Sequence, residues 1–186
     1  MIGLATWRAK RDTKERAAKW ADEITRAARR EVLFAQFGVA DTLDGRFEMV
    51  ALHGGLTMRR LMQLGPEGRA AAQQLADAIF VGFDDALRSM SIADAGVLKR
   101  QKKFGASFYG RLAAYGPPLE ERDREALATA LARNVYGQAS AESAPHAREL
   151  ADYAMDAANG LAKVPLDAFA DDAFEFPDPA MVEKVS

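Results

Sequence analysis

The stretch GPEGRAAAQQLADAIFVGFDDALRSM, residues 65–90, decides the fold class. Gly65 supplies a stop for whatever precedes it, and Pro66 suits the first turn of a new helix, where its missing N–H goes unused. Leu75, Ile79, Phe83, Leu87 and Met90 then recur at three- and four-residue intervals, one stripe of an amphipathic core helix. The same period continues outward in both directions. Upstream, Thr13 to about Arg29 is rich in Ala, Lys and Arg, with Trp20 and Ile24 on one side, and Thr42 or Asp44 can cap a helix running to Leu64. Downstream, Asp94 caps a helix expected to end at Tyr115, before a break at Gly116-Pro117-Pro118. Asp123 opens a helix through Leu127, Leu131 and Val135, and Ser143-Ala144-Pro145 opens a last long one through Leu150, Tyr153 and Ala157. No stretch alternates as a strand bounded by hairpin turns. The expectation is one all-α domain of about six helices. Residues 1–36 form a basic helical arm, 37–163 the helical domain, and 164–186 an irregular acidic tail pinned by Phe169, Phe174 and Phe176.

Composition narrows the chemistry. The 186 residues are 49% hydrophobic, enough to bury a continuous core. With no cysteine there is no disulfide framework, thiol nucleophile or thiolate metal site, and two histidines, His53 and His146, leave no multi-histidine metal site. Neither a metal nor another cofactor is expected. Met1 to Trp7 is too short for a secretory apolar core, with Arg8 following at once, and the apolar window at Ile79–Phe83 is closed by Asp84-Asp85. A cytoplasmic protein is expected, with room for peripheral contact at the inner face of the cytoplasmic membrane. The net charge of −2 conceals polarity along the chain. Residues 1–30 hold nine basic residues against four acids, and residues 163–186 hold six acids against two lysines. Such a division means paired ends or a basic side turned to an anionic surface.

Two segments carry more than fold information. In the helix opened by Asp94, 100° steps place Val97, Phe104, Phe108, Leu112 and Tyr115 on one side and Lys99, Lys102 and Lys103 opposite. Arg100 and Arg111 lie on one border of the apolar stripe, Tyr109 on the other. Four basic residues within five positions repel one another by a few tenths of a kcal/mol per close pair. The cluster is either a solvated face or a surface for an anionic partner. The second segment, Asp41-Thr42-Leu43-Asp44-Gly45-Arg46-Phe47, opens a helix. Asp41, Thr42 and Asp44 suit its positive end as caps, and the spacing lacks a calcium-loop ladder. Arg46 opposes the helix dipole and calls for a carboxylate, either Asp41 or one from another helix. His53 lies on the same face as Arg46, as a hydrogen-bonded core residue or a contact residue. The adjacent Gly54-Gly55 costs helix stability, about 1 kcal/mol per glycine, and points to close backbone packing or a concavity.

Together these segments resemble the ubiquinol–cytochrome c chaperone family. The resembling run begins at Gly38 to Met49 and continues through Leu52-His53, Arg59-Arg60-Leu61 and Leu87 to Asp94. It then takes in Val97 to Lys103, Phe108-Tyr109-Gly110-Arg111 and Asn134-Val135-Tyr136. The tail phrase Pro165-Leu166-Asp167-Ala168-Phe169 with Phe176-Pro177 is similar to the ending of shorter bacterial members. Gly54-Gly55 departs from the pattern, since bulkier apolar residues are expected there. The resemblance implies a largely helical chaperone without catalytic activity that binds newly made cytochrome b during biogenesis of ubiquinol–cytochrome c reductase. The ribosome is a further partner that it implies. Contact residues for the client or a partner would be Arg46, His53, Lys99, Arg100, Lys102, Lys103, Tyr109 and Arg111.

Three other functions compete. An RNA- or ribosome-associated protein would use Lys99–Lys103 and the basic arm, with steep salt dependence. A peripheral membrane protein would use the same cations on anionic lipid. An enzyme would rest on Asp44, Arg46 and His53, without a nucleophile–base–orienter set or a phosphate loop behind it. A non-enzymatic role is the expectation.

Overall fold

The computed structural model describes residues 2–89, 94–170 and 174–181, and side chains over 13–88, 102–169 and 174–181. Every regular element among them is helical: α1 (Ile2–Ala28), α2 (Glu31–Ala35), α3 (Leu43–Gln63), α4 (Gly65–Ser89), α5 (Asp94–Glu121), α6 (Arg124–Val135), α7 (Ala147–Ala162) and α8 (Leu166–Ala170). Short 3-10 turns occupy Ala141–Ser143 and Pro179–Met181. The chain is all-α, a single domain with an irregular tail.

α3 sits at the centre and touches α1, α4, α5, α6 and α7. Its composition suits that place: Met49, Ala51, Leu52, Leu56 and Leu61 leave almost no side to solvent. Gly54 explains how neighbours come so close. A Cβ there would lie 2.9 Å from Ile79 Cδ1 on α4 and 3.3 Å from Phe108 on α5, so any larger residue would have to push these side chains aside. The unexpected Gly54-Gly55 pair therefore marks close packing. On α5, Phe104, Phe108 and Tyr115 are buried, Leu112 is half-buried, and Lys102, Lys103 and Tyr109 are exposed, as the wheel predicts.

α5 does not stop at Tyr115. It runs through Pro117 and Pro118 to Glu121, so the expected break at Gly116-Pro117-Pro118 is corrected. Each proline deletes one helical N–H, but Gly116 has no Cβ to clash with the Pro117 ring, which eases the usual restriction before proline. The helix ends one turn later, where Arg122 adopts a left-handed φ of 57° and the Asp123 N–H reaches back 2.8 Å to the Pro118 carbonyl. That is a Schellman closure with arginine in the place glycine usually takes. Asp123 then caps α6 through its side chain, which accepts from Ala126 N–H.

Both ends of the chain join the core. From α1 come Ala17, Trp20, Ile24, Ala27 and Ala28; from residues 164–181 come Phe169, Phe174 and Phe176. Two arginines fasten the latter segment by its backbone. Arg60 donates to the Val164 carbonyl at 2.8 and 3.0 Å, and Arg30 donates to the Phe176 and Pro177 carbonyls. No helix among the described residues is long and apolar enough to cross a membrane.

Candidate functional site

The start of α3 builds one wall of a cleft. Thr42 is its N-cap, with extended backbone and a hydroxyl that accepts from Gly45 N–H at 3.1 Å. The preceding loop folds back over this turn so tightly that a Cβ on Gly45 would stand 2.0 Å from the Ala40 carbonyl oxygen. That fold-back brings Asp41 to Arg46, whose Nε donates at 2.6 Å to Oδ1. Both groups are exposed, and each shifts the other: the Arg46 hydrogen bond lowers the Asp41 pKa, and Asp41 raises that of Arg46. Asp44 lies in the first turn, exposed and close to the positive helix end.

α5 supplies the second wall and the end of α6 the third. The cleft between them has a volume of about 390 Å³, with Asp44 and Glu48 facing Lys103, Ser107 and Arg111, and Asn134 at its side. Its floor is the Glu48–Arg111 pair. Arg111 donates from Nε to Oε2 at 2.9 Å and from Nη2 to Oε1 at 2.6 Å, a bidentate geometry that a lysine cannot reproduce. Burial pushes the Glu48 carboxyl upward in pKa, partly countered by its bonds to Arg111, while Glu48 raises Arg111 further. Tyr136 borders the cleft and donates to the Phe37 carbonyl at 2.7 Å, which ties the α6 end to the loop before α3.

The structure separates the residues that the sequence groups together. Thr42, Asp44, Lys103 and Arg111 meet at this cleft; Arg46 and Asp41 sit beside it on the surface. Lys102 projects to solvent, and Tyr109 is half-exposed against Phe80, at the far side of α5. The side chains of Asp94, Lys99 and Arg100 lie outside the described residues.

His53 lies in the core, fully buried, and follows the hydrogen-bonded reading of the two that its sequence position left open. Its Nδ1 lies 2.7 Å from the Met49 carbonyl, which only accepts, so the proton is on Nδ1. Nε2 therefore accepts from the Tyr153 hydroxyl, also at 2.7 Å. Burial, with Arg30 nearby, pulls the His53 pKa down to about 4 although the Met49 bond opposes this, and the ring of Phe176 covers it edge-on. Both nitrogens are occupied, which leaves this side chain nothing to offer a ligand.

Glu48, Asn134 and Tyr136 lie in the segments that resemble the family but are not among the expected contact residues, and Ser107 is in neither set. A signal for Glu48 existed: it is a carboxylate inside the apolar run Phe47 to Ala51, where only a partnered acid can lie. Arg111, on the border of its apolar stripe, was the matching half. No comparable signal marks Ser107. Among the described residues no cluster of His, Asp and Glu has the arrangement of a metal site.

The fold and cleft thus define an all-helical protein in which three separate segments converge on one charged, hydrogen-bonding surface. The description Ubiquinol-cytochrome C chaperone fits residues 35–176, and the chain belongs to that family. It is also similar to a solved structure, the Cbp3 homolog from Brucella abortus. The identity is 36%, the TM-score 0.84, and the match covers 98% of this chain and 100% of that one. No protein of curated function matches the chain.

Proposed function

We propose that this protein is an assembly chaperone that binds newly synthesised cytochrome b and supports biogenesis of ubiquinol–cytochrome c reductase, by binding and without catalysis. The observation that carries this reading is convergence. Four of the segments that resemble the family, 38–49, 97–103, 108–111 and 134–136, are scattered over about a hundred residues of sequence, yet each lends at least one residue to the same cleft, while the described residues of the others (52–53, 59–61, 87–94 and the tail) lie away from it. Asp44 suits the positive end of α3 and Arg111 partners buried Glu48, whereas no ion pair or hydrogen bond among the described residues accounts for Lys103 at the same cleft. Arg111 is held in place by Glu48 and still partly exposed, while Lys103 and Asp44 reach solvent, so the cleft offers both charge signs to polar loops of a client.

A photo-crosslinker placed at Lys103 or Ser107 tests the reading in cells. Capture of cytochrome b from these positions, and not from Arg69 on α4, is the expected result. Capture of ribosomal RNA or lipid instead, or equal capture from Arg69, would overturn it.

A further inference from the structure

Further along α3 and α5 lies a second, more apolar surface. α3 and α5 run side by side in the same direction, since Phe47 stacks on Phe104 with ring centroids 4.7 Å apart and Gly55 faces Leu112. Their C-terminal halves diverge into a groove of about 340 Å³ that spans residues 52–63 on one wall and 112–120 on the other. At 1.5 Å per residue the first wall runs about 16 Å, three helical turns, and the second about 12 Å. Leu56 and Met62 line the first wall, Leu112 and Leu119 the second, and Met62 is 44% exposed in spite of its apolar side chain. Methionine at such a place suits a surface that adapts to what it binds.

Two features choose the occupant. Both walls are helices whose backbone bonds are internal except at the Ala113 and Ala114 carbonyls, which Pro117 and Pro118 leave without a helical donor, so an extended segment in the groove would still leave most of its own N–H and C=O groups without partners; a helix brings them already satisfied. The groove also carries Arg59 and Glu120, neither of which forms an ion pair among the described residues. With Gly55 facing Leu112, Arg59 falls opposite Gly116 and Glu120 one turn further along. One charge of each sign, a turn apart, disfavours an anionic membrane or a nucleic acid and matches a carboxylate and a cation at i and i+4 of a helix. We propose that this groove docks an amphipathic helix of a partner protein. That helix would have a three-turn apolar stripe flanked by an acid for Arg59 and a base for Glu120. The inference goes beyond the cleft and does not depend on which protein the cleft binds.

The test uses the full chain and a fluorescein-labelled 16-residue helical peptide with a leucine stripe and one Glu and one Lys four residues apart. Its partner peptide has both charges replaced by glutamine. Fluorescence anisotropy should show the charged peptide binding at least tenfold more tightly than the neutral one. Met62→Lys, at an exposed position the fold does not need, should weaken the charged peptide at least tenfold with Tm unchanged. The double variant Arg59→Gln/Glu120→Gln should erase the difference between the peptides. Equal binding to wild type and Met62→Lys would overturn the proposal. So would flotation with vesicles of phosphatidylcholine and phosphatidylglycerol that Met62→Lys abolishes, or a sedimenting dimer of this chain that it disrupts. A failure here leaves crosslinking at Lys103 untouched, and a failure there leaves these peptides untouched.

Discussion

Of the three buried polar residues on α3, Thr57 bonds back to its own helix, while Glu48 and His53, five positions apart, do opposite things. His53 is sealed: both ring nitrogens are bonded, Phe176 covers the ring, and its neutral form is enforced by burial. Glu48 is also buried, but its partner Arg111 keeps part of its surface at the cleft. One pair closes the core; the other holds a charge at the edge of the core and presents it. Burial alone does not sort structural from functional polar groups. What sorts them is whether the partner still reaches solvent.

Breaking the second pair should be the costliest single change. Glu48→Ala leaves Arg111 half-buried and unpartnered, and urea unfolding should show a loss of about 3 kcal/mol. Replacing both partners by leucine should restore most of that stability while abolishing cytochrome b capture at Lys103, which would separate the fold from the function.

The first pair should reveal itself through pH. The His53 pKa is about 4 in the fold against an unfolded 6.5, so between those values the unfolded chain binds a proton that the fold refuses. Stability should fall as pH drops through this window, by at most about 1.4 kcal/mol per pH unit, and His53→Gln should remove that slope. Glu48 acts with the opposite sign. Its pKa is raised in the fold, so its contribution declines as pH rises above the unfolded value of 4.5 and grows as pH falls back.

Tyr153→Phe sharpens the comparison further. It removes the hydroxyl that donates to His53 Nε2 and should cost about 1–2 kcal/mol in urea unfolding at pH 7. Arg46→Ala should do least. Its pair with Asp41 is exposed on both sides, and Tm should not move, even though Arg46 was among the residues that stood out in the sequence.

Helix periodicity made much of this fold legible. The stripe from Leu75 to Leu87, the Thr42 cap and the buried face of α5 can all be read one helix at a time. The end of α5 could not, because two prolines normally stop a helix, and its continuation depends on Gly116 and on the turn made by Arg122 and Asp123. The site was half legible. Lys103 and Arg111 stand out by charge against an apolar stripe, whereas the Glu48–Arg111 pair spans 63 residues and needs the helices docked. His53 attracted notice for its type and its glycine neighbours, but Tyr153, a hundred residues away, decides what it does.

If this chain supports assembly of ubiquinol–cytochrome c reductase, deletion of its gene should show it, read as the amounts of assembled enzyme and of its cytochrome b in membranes. Both should fall sharply and return with the wild-type gene. Normal amounts of both in the deletion strain would contradict that role.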